Sequence, residues 1–115
     1  MEWNFKEGIP IYTQIIDEMT MRIASSAYEP GEKLPSVRDL ALDAGVNPNT
    51  MARSYETLTA DGIIYNKRGI GFFVSAAAPQ KVLDNARRSF YDNELPQFLK
   101  RMTLLNISFE EITKQ

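Results

Sequence analysis

The chain contains neither cysteine nor histidine. Without cysteine there is no disulfide and no thiolate nucleophile, and without either residue the usual zinc sites are gone. The commonest general base is missing too. A Ser-His triad is therefore excluded, and Ser36 and Ser89 have no partner for nucleophilic work. The carboxylates are scattered, with no pair placed for acid–base chemistry. No enzyme activity, cofactor or metal is expected. No apolar run approaches the roughly 18 residues of a membrane helix. The first seven residues show neither the basic nor the apolar region of a signal peptide. A cytoplasmic protein with no membrane partner is expected.

An excess of positive charge is also lacking. The formal net charge is −2 and the sequence pI about 5.1. Residues 1–75 hold seven Lys and Arg against ten Asp and Glu, giving −3. Any nucleic-acid partner must therefore meet positive groups gathered on one face. Arg38, Arg53, Lys67 and Arg68 supply such a stripe, with Glu2, Glu7, Asp17, Glu18 and Glu29 expected elsewhere. With 115 residues, 43% of them hydrophobic, the chain suits one globular domain with a small appendage.

What is present centres on residues 34–74. Ser36 is placed to cap a helix, with Asp39 in the acidic position three residues on. Val37, Leu40, Ala41 and Ala44 then recur at helical spacing, and Gly45 supplies a stop. Asn47 caps the next helix and Pro48 takes its first position, where a missing N–H costs nothing. Val46 and Met51 stand where a hydrophobic staple would. On this second helix Met51, Tyr55 and Leu58 share one face, while Asn49 and Arg53 lie opposite, one turn apart. A helix pinned from behind that offers an amide and a guanidinium outward is the layout of a helix-turn-helix. Those two groups can bond adenine and guanine bidentately in the major groove.

The runs Ile63–Tyr65 and Phe72–Val74 flank a basic, glycine-rich tip, which predicts a hairpin with a loop longer than two residues. A hairpin directly after a helix-turn-helix makes a winged helix. Lys67 and Arg68 would meet phosphates, and Gly69 and Gly71 would allow close backbone approach.

Several motifs now stand in order: Pro10-Ile-Tyr-x-Gln-Ile, Pro30-Gly-x-x-Leu-Pro-Ser-x-Arg-x-Leu-Ala, Val46-Asn-Pro-Asn-Thr, Tyr55-x-x-Leu, Asp61-Gly and Arg68-Gly-x-Gly-x-Phe-Val. Together, over residues 9–74, they resemble the GntR family of bacterial transcription regulators. The short remainder is similar to the YtrA branch, in which a few dimerising helices replace a large effector domain. The resemblance implies DNA contacts at Ser36, Arg38, Asn49, Thr50 and Arg68-Gly69-x-Gly71. Many family members carry two arginines in the recognition helix where this chain has Pro48 and Ala52, so those contacts do not transfer. Arg53 stands on the helical-face argument, and Asn47 is used at least as a cap.

An extended arm with Trp3 and Phe5 precedes a helix over about residues 10–26, with Tyr12, Ile15, Ile16, Met19 and Ile23 as its buried stripe. Residues 75–79 form a small-residue hinge. The expected fold class is mainly α with a small β-hairpin. Residues 1–78 would form a winged helix-turn-helix DNA-binding domain and 79–115 a helical dimerisation tail. In the tail one amphipathic helix is expected to break near Asp92-Asn93, and a second follows with Pro96 in its first turn. Ser108 to Glu111 is a capping box for a short third. Leu83, Phe90, Leu95, Phe98, Leu99, Met102 and Leu105 exceed what two short helices bury alone and are assigned to a homodimer interface. Phe90, Tyr91, Phe98 and Met102 would also offer apolar wall to a small-molecule effector.

The expected function is sequence-specific transcriptional regulation: a repressor bound as a homodimer to an inverted-repeat, double-stranded DNA operator. The alternative is a winged helix used only for protein contacts. A third reading is an enzyme fragment, since some members of the family the chain resembles fuse this domain to an aminotransferase-like, pyridoxal-phosphate-dependent domain. The tail is too short for one, so that reading needs the chain to be a piece of a longer protein.

Overall fold

The computed structural model describes residues 3–114. Their elements are α1 (Ile11–Ala24), α2 (Val37–Ala44), α3 (Pro48–Ala60), β1 (Ile64–Lys67), β2 (Gly71–Val74), α4 (Ala78–Ser89), α5 (Leu95–Leu104) and α6 (Phe109–Thr113). Glu2 lies outside the described residues. The chain divides into two compact units, Met1–Val82 and Leu83–Gln115.

In the first unit α3 is the central element, with α1, α2 and β1 packed on it. Ile15, Met19 and Ile23 of α1, Leu40 and Ala41 of α2, and Met51, Tyr55 and Leu58 of α3 meet in one core with Ile64 and Val74. Tyr12 and Ile16, expected in the same stripe, are only half-buried. Ala78 and Val82 belong to this core as well, so residues 78–82 are tied into the first unit. Pro10 does not enter α1. Its ψ of 136° is extended, and it stands as the cap whose carbonyl accepts the Gln14 N–H at 3.4 Å. At the other end Ser26, at φ +66°, turns the chain out of the helix sooner than expected.

The Tyr55 hydroxyl donates to the Pro35 carbonyl at 2.7 Å, and its ring meets Phe72 edge-on at 5.0 Å. Burial pushes the Tyr55 pKa up, and Tyr28 adds to the shift. One phenol thus links α3, the approach to α2 and the hairpin.

The hairpin pairs Ile64 with Val74 and Lys67 with Gly71, antiparallel. At the tip β1 runs two residues past its β-forming run, and β2 begins one residue before its own. The loop is therefore Arg68, Gly69 and Ile70, with the Ile70 N–H donating to the Lys67 carbonyl at 2.9 Å. Gly69 has φ +78° and Gly71 φ +141°, both costly for a side chain. A Cβ at Gly71 would also come within 3.1 Å of Lys33 Cε. The free edge of β2 is partly covered. Gly31 and Leu34 donate to the Val74 and Phe72 carbonyls at 2.8 Å, and Val74 donates back to Glu32 at 3.0 Å. Replacing both tip glycines with valine is expected to cost about 1–3 kcal/mol per site, read as a lowered urea midpoint. An unchanged midpoint would show that the tip relaxes freely.

The tail differs from expectation at Asp92-Asn93. The helix does not break. Residues 90–94 form a π-helical turn that leads directly into α5. Pro96 gives the physical reason. It has no N–H for the carbonyl of Asp92, and its ring would crowd that carbonyl in an α turn, so the wider turn accommodates it. The third helix is present as expected, with Ser108 Oγ accepting the Glu111 N–H at 3.2 Å.

Candidate nucleic-acid interface

Two short helices and the hairpin tip carry the predicted groups. At the start of α2, Ser36 Oγ accepts the Asp39 N–H at 3.0 Å, which leaves its own hydroxyl proton free to donate. Arg38 follows in the first turn and is exposed. A cation there opposes the helix dipole. Local carboxylates do not relieve it. Asp43 Oδ2 accepts from Trp3 Nε1 at 3.0 Å, and no described carboxylate pairs with Arg38. Gly45, at φ +70°, ends α2 and sets up the turn into α3.

At the start of α3, Asn47 Oδ1 accepts the Asn49 N–H at 2.8 Å, so Asn47 is spent as a cap at its oxygen. Its amide NH₂ remains. Met51, Ser54, Tyr55 and Leu58 face the core, and Asn49 and Arg53 are exposed. Thr50 is half-buried between the two faces, and its carbonyl accepts Ser54 Oγ at 3.1 Å. The Arg53 guanidinium lies 3.7 Å from the centre of the Tyr12 ring.

On the wing, Arg68 and Gly69 form the exposed loop, while Gly71 is half-buried as the first residue of β2. Lys67 lies in β1 rather than in the loop, with its ammonium 5.5 Å from the Phe73 ring, and that ring stacks on Tyr65 at 5.7 Å. The Lys33 stem passes over Gly71 and adds a cation to this corner. Neither the Lys33 placement nor the Tyr12–Arg53 stack is legible in sequence. Both join segments far apart in the chain, and Tyr12 by its spacing is one more core position.

The N-terminal arm packs on the body. Trp3 stacks on Phe5 at 5.7 Å, and Arg22, only 4% exposed, lies 4.3 Å from the Trp3 ring. Arg22 also bonds Glu18 at 2.9 Å and the Tyr28 hydroxyl at 3.3 Å, which makes it a structural cation. A cleft of about 330 Å³ opens beside the arm. No group of described residues is arranged to hold a metal ion, and no described helix is long and apolar enough to cross a membrane.

In the second unit Leu83, Phe90, Phe98, Leu99 and Leu105 are exposed, as are Tyr91, Leu104, Phe109 and Ile112. Leu95 is half-buried. Met102, assigned from sequence to the dimer interface, is only 7% exposed and lies within the chain's own packing. With Phe98, Arg101, Leu105, Ile107 and Ile112 it lines a mainly apolar hollow of about 280 Å³. Phe90 and Tyr91 meet edge-on at 5.6 Å outside that hollow.

Residues 11–74 match the family described as bacterial regulatory proteins, gntR family. The HTH-type transcriptional repressor YtrA of Bacillus subtilis is 32% identical over 107 residues, 93% of this chain and 82% of that protein. A solved structure of a putative GntR-family transcriptional regulator from Bacteroides thetaiotaomicron is 40% identical and superposes with a TM-score of 0.80, covering 90% of each chain. The DNA-binding domain of AraR, solved in complex with its operator ORX1, is 26% identical with a TM-score of 0.57 over 65% of this chain and 92% of that one. The helix-turn-helix, the hairpin and this match over more than half the chain agree: the protein belongs to the gntR family of bacterial regulators, as a winged-helix, DNA-binding transcriptional regulator and not an enzyme.

Proposed function

We propose that the chain acts in the cytoplasm as a homodimeric repressor on an inverted-repeat operator. The first unit binds DNA and the second, Leu83–Gln115, most of the expected tail over residues 79–115, joins two copies. The observation that carries this reading is the outward face of α3. Among the described residues Asn49 and Arg53 are exposed there with no carboxylate partner, and the same holds for Arg38 at the start of α2. In this arrangement Asn49 and Arg53 read base edges. Ser36, Arg38, Thr50 and the Asn47 amide hold the phosphates, and Lys67, Arg68, Gly69 and Gly71 bring the wing to the neighbouring backbone. The sign of regulation follows the relative named a repressor. A second copy is the partner that would cover the apolar tail, given Leu83, Phe90, Leu95, Phe98, Leu99 and Leu105 at or near its surface. The Met102 hollow offers room for a small-molecule effector within one protomer.

The net charge favours one competing reading, a protein-interaction module, because −3 over residues 1–75 weakens any long-range attraction to DNA. A mobility shift with the DNA upstream of this protein's own gene separates the two. The expected result is a discrete complex whose affinity falls steeply as salt rises, since each neutralised phosphate releases counterions. Absence of a shift at low salt, with this DNA and with a randomised duplex pool, would leave the protein-contact reading standing.

A further inference from the structure

Among the described residues two arginines lie against aromatic rings, and they are held differently. Arg22 is enclosed, with one edge on Glu18, another on the Tyr28 hydroxyl and a face toward Trp3. Arg53 is exposed, and the one partner of its guanidinium among the described residues is the Tyr12 ring at 3.7 Å. Stacking on a ring uses the face of a guanidinium and leaves the N–H donors at its edge free. It also restricts a side chain that otherwise loses much rotamer freedom on binding.

The backbone that carries the ring is tied to α3. Ser54, the neighbour of Arg53 in α3, is fully buried and shares its hydroxyl proton between the Tyr12 and Thr50 carbonyls, each at 3.1 Å. Two consecutive residues of α3 therefore hold Tyr12, one by its backbone and one by its ring. Tyr12 sits in the first turn of α1, so the ring that meets Arg53 lies outside the recognition helix.

We propose that Tyr12 is a positioning residue for Arg53 and thereby a determinant of base preference. The ring pre-orients the guanidinium so that its free edge meets a guanine in the major groove, where O6 and N7 accept its paired donors. Tyr12 itself contacts no base. The inference rests on the DNA-binding reading above and adds to it a specificity device in α1.

The test uses the full chain and a duplex that the wild-type protein selects from a randomised pool, together with single-base-pair variants of that duplex. Tyr12→Phe keeps the ring and is expected to bind within about twofold of wild type. Tyr12→Leu is expected to weaken binding by about threefold to tenfold, the scale of a cation–π contact. Its loss should fall at the base pair to which Arg53→Ala is indifferent, and Tyr12→Leu should have no further effect in an Arg53→Ala background. A half-buried tyrosine also contributes to packing, but loosened packing weakens binding to every duplex and acts equally with or without Arg53. An equal loss from Tyr12→Leu in both backgrounds therefore overturns the inference. A loss from Tyr12→Phe as large as that from Tyr12→Leu overturns it too, because the hydroxyl would then be a direct phosphate contact. If Arg53→Ala binds and discriminates like wild type, the inference falls while DNA binding stands. If the wild-type protein selects no sequence, both readings fall.

Discussion

A chain ended after Val82 is expected to fold, to sediment as a monomer, and to bind operator DNA about 10²–10⁴-fold more weakly than the full chain. Folding is expected because Ala78 and Val82 lie in the first unit's core, so this cut keeps that core whole, whereas a cut at Ala78 would strip Val82 from it. The affinity loss follows from chelation. Once one winged helix is bound, a joined second copy meets its half-site at an effective concentration far above its free one. In the proposed two-fold dimer the operator would be an inverted repeat, with half-site centres about 10 base pairs or a multiple apart. The companion variant keeps the chain intact. Phe98→Asp and Leu99→Asp place charge at two exposed tail positions, and together they should reproduce the loss without unfolding the first unit. Full-length protein that sediments as a monomer at micromolar concentration would falsify the dimer arrangement. A footprint over a single half-site would do the same.

Arg38→Ala is expected to weaken operator binding about tenfold or more per protomer, the scale of a charge-assisted hydrogen bond. Its salt dependence also counts subunits. Each lost phosphate contact flattens the plot of log affinity against log salt by about 0.9, so a dimer losing two contacts flattens by about 1.8. Asn49→Ala should act differently, costing about 1–3 kcal/mol at one base pair and relaxing preference there with little change in slope. Arg68→Ala should follow Arg38→Ala. All three side chains are exposed, so thermal unfolding should shift little. Wild-type affinity in Arg38→Ala at moderate salt would mean that the start of α2 does not face the backbone.

The parts of the fold legible in sequence are those written over three to five residues. Ser36 with Asp39, Asn47 with Pro48, and Gly45 between them mark helix ends through local hydrogen bonds and allowed dihedrals, and the structure shows those caps. The tip glycines mark a turn for the same local reason, and both have positive φ. Contacts that join distant segments left no such trace. The bond from Trp3 to Asp43, the Gly31–Leu34 segment along β2 and the Arg53 stack on Tyr12 depend on where the whole chain brings two pieces together. At Asp92-Asn93 the sequence misled. Those residues are weak helix formers, and Pro96 follows, yet a local change of hydrogen-bond pattern kept the helix going. For the interface, the face of α3 followed from period alone, while the exposure of Arg38 without a carboxylate required the structure.

The π-helical turn at residues 90–94 holds one residue more than an α turn would. One residue corresponds to about 100° of rotation around a helix. Deleting Asn93 alone would therefore swing Phe98 and Leu99 to a different side of the rod relative to Leu83 and Phe90, with every side chain retained. In the proposed dimer, a shortened chain would carry the same hydrophobic residues out of phase with those of the parent, and the two would not pair.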